Sequence, residues 1–353
     1  MLSILEVRTN TKTYPIFINR GIIKECGKII KKIYSGTKVC IVTDSNVNRL
    51  YGESIIKYLK EEGLETFFVE VEPGEESKCL KTWENICRSL LKSGVTRGNI
   101  ILNLGGGVVG DLGGFAASVL LRGIKYIHIP TTLIAQVDSS LGGKVGINLD
   151  EGKNLIGSFY QPEAVIIDPE FLSTLDDRYF ADGMGEIIKY ACIGDKDLFQ
   201  YLEEKSKALA PEGIDTIIEK CCKIKSQIVE VDERDTKERM LLNFGHTFGH
   251  AIEKYYNYSK YSHGEAVALG MLHIVKKGEE KGLTLPGTYE KLKRLIEIYN
   301  LPSEFPQMDT DRIKDIVMLD KKGIAEEMNI VLIKEIGKGF IHNIKRDEID
   351  YWL

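Results

Sequence analysis

Between residues 38 and 167 the chain alternates short, apolar, β-branched runs with stretches of helical spacing. That alternation restricts the possible fold more than any other feature. Lys38–Thr43 (KVCIVT), Glu65–Val71, Asn99–Leu104 (NIILNL), Lys125–Ile129 and Ala164–Ile167 read as strands. A helix is expected over about Asn48–Glu62. Strands alternating with helices build parallel βαβ units, which bind ligands beyond the carboxyl ends of their strands. Two further strands, 3–8 and 13–19, joined by the polar turn Thr9–Lys12, come first, and Gly21–Tyr34 has helical spacing. Beyond about residue 178 the periodicity turns almost wholly helical. Helices are expected near 181–193, 195–206, 211–234, 239–256, 264–282, 287–299 and 309–318, with a two-stranded ribbon from Met328–Ile333 to Phe340–Ile341. At 353 residues the chain is long for one core. The expected architecture is an α/β domain over 1–177 followed by a mostly helical, all-α domain over 178–353.

Composition removes several classes of partner. Net charge is −5, with lysines and acids interspersed, so there is no electrostatic footprint for nucleic acid. No apolar run reaches the roughly 18 residues of a membrane span, and MLSILEVRTN lacks a signal-peptide pattern. Seven cysteines without a C-x-x-C pair point to reduced thiols in a cytosol.

Chemistry-bearing residues gather at the expected strand ends. Asp44 and Asn46 follow one strand, where a carboxylate suits ribose hydroxyls or, more simply, caps a helix. Pro73–Lys78 follows the next. After Leu104 comes Gly105-Gly106-Gly107-Val108-Val109-Gly110-Asp111, a G-x-G-x-x-G pattern between strand and helix, as a pyrophosphate cradle requires. The acidic residue usually found about 20 positions later is missing, so Asp44 would serve the ribose. From Thr131-Thr132 through Asp138, Lys144, Lys153 and Asn154 the chain stays polar and glycine-rich. Together with Arg122 it offers cations beside flexible backbone, which suits a phosphorylated ligand, although a solvated loop would look much the same.

Three of the six histidines fall at 246, 250 and 263. His246 and His250 share a helix face, and His263 is expected in a tyrosine-rich loop before an apolar helix. Imidazoles in this number suit zinc but need a carboxylate, and Glu186 in GMGEIIK is the best candidate. Which of the three histidines would bind is open from spacing alone.

The blocks PGEESK, GGGVVGDLGGF, RGI with HIPTT, QVDSSLGGKVGIN, GKNLIG, GEIIKY, LNFGHTFGHAIE and HGEAV together resemble the sugar-phosphate cyclases, and most closely the 3-dehydroquinate synthase family. The resemblance spans nearly the whole chain. It implies an NAD-binding α/β domain, a helical metal- and substrate-binding domain, a homodimer and a cytoplasmic location. It implies Glu186, His246 and His263 as zinc ligands, cobalt being the alternative ion, and places His250 near the substrate phosphate. Arg122, Asp138, Lys144, Asn154, Lys189, Lys225, Arg239 and Asn243 match substrate-contacting positions, with Arg122 reaching a neighbouring subunit. Lys321 or Lys322 matches a further phosphate contact. The positions implied for NAD are Asp44, Asn46, Glu75, Lys78, Gly106, Gly107, Val108, Val109, Gly110, Asp111, Thr131, Thr132, Lys144, Lys153, Phe171, Leu172, Ser173 and Thr174. The implied reaction turns 3-deoxy-D-arabino-heptulosonate 7-phosphate into 3-dehydroquinate and phosphate, through transient oxidation, elimination, re-reduction and aldol closure. Two rivals are cyclases acting on glucose 6-phosphate or sedoheptulose 7-phosphate, and metal-dependent polyol dehydrogenases.

Overall fold

The computed structural model describes residues 3–205, 211–320 and 327–353; Lys321 and Lys322 lie outside the described residues. Two compact units result. Unit 1 comprises Met1–Leu175 with Lys225–Glu233, and unit 2 comprises Asp176–Ile224 with Arg234–Leu353.

In unit 1 the strands are β1 (Ser3–Arg8), β2 (Thr13–Ile18), β3 (Lys38–Asp44), β4 (Glu65–Val71), β5 (Ile100–Gly105), β6 (Lys125–Pro130), β7 (Lys144–Leu149), β8 (Gly152–Phe159) and β9 (Ala164–Ile167). The helices are α1 (Cys26–Ile33), α2 (Ser45–Val47), α3 (Glu53–Glu61), α4 (Leu80–Lys92) and α5 (Gly107–Val119). Seven strands form one sheet in the order β1-β2-β9-β6-β5-β3-β4, antiparallel only between β1 and β2. Because a parallel sheet is covered on both faces, its strands are apolar throughout. Ile41, Leu102 and Ile127 point to one core with α1 and α3, while Cys40, Val42, Ile101 and Tyr126 point to another with α4 and α5. From β3 the chain steps to β4 on one side and to β5 on the other. The switch point, where such sheets bind ligands, therefore lies between the carboxyl ends of β3 and β5.

The polar stretch after Asp138 is not a simple loop: β7 and β8 pair as an antiparallel hairpin. The single helix expected over 48–62 is α2 and α3 joined by a π-helical turn, Asn48–Gly52.

Unit 2 holds α6 (Asp177–Gly194), α7 (Lys196–Glu204), α8 (Pro211–Val231), α9 (His246–Tyr255), α10 (His263–Glu280), α11 (Thr288–Ile298), α12 (Thr310–Asp320) and the ribbon β10 (Glu327–Glu335) with β11 (Lys338–Lys345). The residues of α8 from Lys225 onward group with unit 1. The helix expected over 239–256 is broken. Glu238–Asn243 forms a 3-10 turn, Gly245 takes a left-handed φ of 79°, and α9 begins only at His246. Among the described residues no helix is long and apolar enough to cross a membrane.

Candidate functional site

In unit 2, the helices α6, α9 and α10 bring Glu186, His246 and His263 together. Glu186 is fully buried on α6, and among the described residues neither carboxylate oxygen accepts a hydrogen bond. Its Oε1 lies 3.4 Å from His246 Nε2 and 3.3 Å from His263 Nε2, while Oε2 pairs with the buried Lys189. Each imidazole is oriented by its other nitrogen. His246 Nδ1–H donates to the Phe244 carbonyl at 3.1 Å, and His263 Nδ1 faces the buried Glu253 at 3.4 Å. Both Nε2 atoms are thereby turned toward the carboxylate.

Burial works to raise the Glu186 pKa, but Lys189 and His246 outweigh it and hold the carboxyl well below its usual range. Burial lowers His246 to about 4. It acts the same way on His263, where Glu253 and Glu186 overcome it and lift the ring to about 10. A buried carboxylate and two imidazole nitrogens aimed at it form a donor set that fits a divalent cation with positions left open.

His250, one turn beyond His246, joins the cluster. Ring nitrogens of His246, His250 and His263 lie within 4.8 Å of one another. Arg239, 2% exposed, and the half-buried Asn243 stand on the 3-10 turn that leads into α9. His263 is the first residue of α10, not part of a loop as its surroundings suggest.

The close approach of the helices depends on glycines beside the candidate ligands. A Cβ on Gly185 would meet the Gly264 carbonyl oxygen at 2.7 Å, and one on Gly264 would meet the Asp182 carbonyl oxygen at 2.0 Å. Asp182 also accepts the Gly264 N–H. The sequence reading missed Glu253, Asp182 and these glycines. Glu253 is seven residues after His246, hence on the same helix face, and that spacing could have pointed to it.

In unit 1 the candidate nucleotide residues stand beyond the carboxyl ends of the parallel strands. Asp44 caps α2, its Oδ1 accepting the N–H groups of Asn46 at 2.9 Å and Val47 at 3.0 Å. Gly106 precedes α5. A Cβ there would come within 3.1 Å of the Thr132 methyl, and one on Gly107 within 3.1 Å of Ser139 Oγ. A side chain would crowd this turn, and it presents the amino end of a 13-residue helix to whatever binds, which suits a pyrophosphate.

Around that turn runs a polar network. Lys78 pairs with Asp111 and donates to Asn154 Oδ1. Glu75 accepts from Asn148 at 2.8 Å and lies 3.9 Å from Lys153. Burial raises the Asp111 pKa against the pull of Lys78. Lys225 donates to the Asp138 carbonyl at 2.8 Å and pairs with its carboxylate. Thr131 is buried after β6. Val109 and Phe171 belong to the core. Leu172 is half-buried, Ser173 is exposed, and Thr174 bonds Tyr51.

Two candidates stand apart within this unit. Lys144 is exposed at the start of β7. Arg122 is exposed at the amino end of β6, with φ of 67° beside Leu121 at 51°; it is not brought to the strands' carboxyl ends.

Comparison with known proteins gives a consistent result. Residues 68–182 match the family model described as 3-dehydroquinate synthase N-terminal, and residues 183–323 match 3-dehydroquinate synthase C-terminal. The 3-dehydroquinate synthase of Clostridium acetobutylicum is 50% identical over 345 residues, covering 98% of this chain and 97% of the relative. A solved 2-deoxy-scyllo-inosose synthase, complexed with carbaglucose-6-phosphate, NAD+ and Co2+, is 25% identical with a TM-score of 0.89, covering 99% of this chain and 98% of its own. The 2-epi-5-epi-valiolone synthase of Streptomyces hygroscopicus, with NAD+ and Zn2+ bound, is 27% identical with a TM-score of 0.87, covering 96% and 95%.

Proposed function

We propose a catalytic scheme from one premise: the chain belongs to the 3-dehydroquinate synthase family, and its activity is the formation of 3-dehydroquinate. The substrate in this scheme is 3-deoxy-D-arabino-heptulosonate 7-phosphate. Phosphate departs and no net oxidation occurs, so the reaction is of the carbon–oxygen lyase class. When bound, NAD supplies a hydride acceptor restored within each turnover, and zinc, or cobalt in its place, supplies a Lewis acid for neighbouring hydroxyls.

One observation carries the scheme: the buried Glu186 carboxylate faces two oriented imidazole nitrogens. Glu186, His246 and His263 hold the ion, and the Phe244 carbonyl and Glu253 fix the rings. The backbone of Gly106–Asp111 receives the pyrophosphate of NAD at the amino end of α5. Asp44 and Asn46 take a ribose, and Glu75, Lys78, Thr131, Thr132, Lys144, Lys153 and Phe171–Thr174 complete the nucleotide contacts. That the two solved cyclases bind NAD+ with Co2+ or Zn2+ supports both cofactors here.

The sugar phosphate is received by Lys144, Asn154, Lys189, Lys225, Arg239, Asn243 and His250, with Lys321 or Lys322 as a further contact. Their cationic and N–H groups hold the phosphate, which takes up the proton of the adjacent carbon as it leaves, so that no separate strong base is needed. Asp138 holds Lys225 in place. In this division residues 1–177 bind NAD and residues 178–353 bind metal and substrate, although Lys225–Glu233 pack within unit 1. The exposed Arg122 is assigned to the site of a second copy, in a homodimer. Seven cysteines, none of them in a disulfide among the described residues, support a reducing, cytoplasmic setting.

The test is phosphate release from three sugar phosphates while NADH is followed. Expected is one phosphate released per 3-deoxy-D-arabino-heptulosonate 7-phosphate, with no NADH accumulating. Faster release from glucose 6-phosphate or sedoheptulose 7-phosphate, or NADH formed stoichiometrically from a simple polyol, would refute the scheme.

A further inference from the structure

The position of Lys225 is set by a fastening that touches no ligand. Lys225, 5% exposed, reaches Asp138. Downstream of it the chain is tied to the turn between β1 and β2. Glu230 Oε1 accepts the Arg8 backbone N–H at 2.9 Å. Glu233 accepts the Thr11 N–H at 3.2 Å, the Thr11 hydroxyl, and Gln161 Nε2 at 2.9 Å. The turn is itself closed by Thr9 Oγ1 donating to the Lys12 carbonyl at 2.9 Å and accepting the Lys12 N–H at 3.1 Å. Glu233 and Gln161 are each only 4% exposed.

A carboxylate buried under three donors from two separate stretches of the chain is held by charge-assisted bonds, which are stronger and more directional than neutral ones. Lys225 and Glu233 are separated by roughly two helical turns, about 12 Å of chain at helical rise, and Asp232 N–H still bonds back to the Ile228 carbonyl at 3.0 Å. Where Glu233 is fixed, the last turns of α8 are fixed as well, and with them the stem of Lys225. Without the fastening that end frays, since helix termini open first.

We propose that Glu233 is a positioning residue: by fastening the end of α8 to the Thr9–Lys12 turn and to Gln161, it stations Lys225 on Asp138 for the sugar phosphate. The inference rests on the reading of Lys225 as a substrate contact. A displacement of the lysine by about 1 Å is enough to cost up to ~100-fold in rate.

The experiment uses the full-length enzyme with NAD and metal, as wild type, Glu233→Ala, Glu233→Gln, the milder Thr11→Val, and Lys225→Ala. Backbone hydrogen exchange over 225–233 reads the fastening, and the KM for the sugar phosphate reads its consequence. In Glu233→Ala, exchange over 225–233 should accelerate and KM should rise on the order of tenfold, with metal content and NAD affinity kept. Glu233→Gln, which retains an oxygen acceptor, should recover most of both, and Thr11→Val should move both in the same direction by less. Unchanged exchange or unchanged KM in Glu233→Ala overturns the proposal. So does a parallel fall in metal content and NAD affinity, which marks a general loss of structure. Lys225→Ala separates the two layers: if its KM also stays at the wild-type value, the assignment of Lys225 to the substrate fails together with the proposal.

Discussion

At the scale of the residue, the chemistry turns on which three side chains hold a metal. His246, His250 and His263 lie close enough to share one ion by themselves, yet the Glu186 carboxylate faces the Nε2 atoms of His246 and His263. Replacing Glu186 by Gln removes the charge and turns one oxygen into a donor that cannot ligate. Metal affinity is expected to fall by more than about tenfold, whereas His250→Ala keeps its metal. Metal analysis after dialysis checks both, and a Glu186→Gln protein with full metal content would exclude the carboxylate from the ligand set. Spacing alone could not make this choice. An interval of four residues places His250 beside His246 whether or not it binds, and the carboxylate comes from a different helix. The orienting partners were legible only in part: the Glu253 spacing is readable, while the Phe244 carbonyl carries no sequence signal at all.

At the scale of the element, strands buried on both faces were legible because continuous β-branched runs have few other uses. The β7–β8 hairpin was not. None of the eight residues of β8 is buried, its pattern running from half-buried to exposed and back, so no inward-facing apolar alternation marks it. The helical break at Gly245 was hidden by apolar spacing that continues across it. The crossing of α6 and α10 depends on backbone contact at Gly185 and Gly264, which periodicity does not report. Gly264→Ala would drive a methyl into the Asp182 carbonyl, and neither atom is the end of a flexible side chain. The expected cost is on the order of 1–3 kcal/mol, with metal lost because His263 adjoins the displaced residue. Gly194→Ala is the control, since its Cβ would make only an ordinary 3.7 Å contact with Ile224. Urea unfolding with metal analysis compares them, and equal stability and metal content in the two variants would refute the crossing argument.

At the scale of the whole molecule, each unit encloses a histidine that stays neutral, His128 buried and His273 half-buried. Burial pushes His128 in unit 1 down to about 3 and His273 in unit 2 down to about 4. His273 sits between Phe248 and Phe305, with ring centroids at 4.4 and 4.8 Å, and its Nε2–H donates to the Trp352 carbonyl at 2.6 Å. The ring thus ties the end of the chain to α10. Unfolded, an imidazole takes up a proton near its ordinary value of 6.5; folded, His273 does so only near 4. Between those values the unfolded chain binds more protons, so unfolding free energy rises with pH. The contribution is complete above about 6.5 and is lost as pH falls toward 4. At about 1.4 kcal/mol per pH unit of separation, it amounts to at most about 3.5 kcal/mol. His273→Gln keeps an N–H donor but cannot ionise in this window. Its unfolding free energy, followed by urea titration from pH 7 to pH 4 at constant metal, should therefore fall less steeply than that of the wild type. Comparing the two proteins cancels the carboxylates and the other histidines, including the metal-site rings. Parallel curves across the window would show that His273 is not held as a neutral ring.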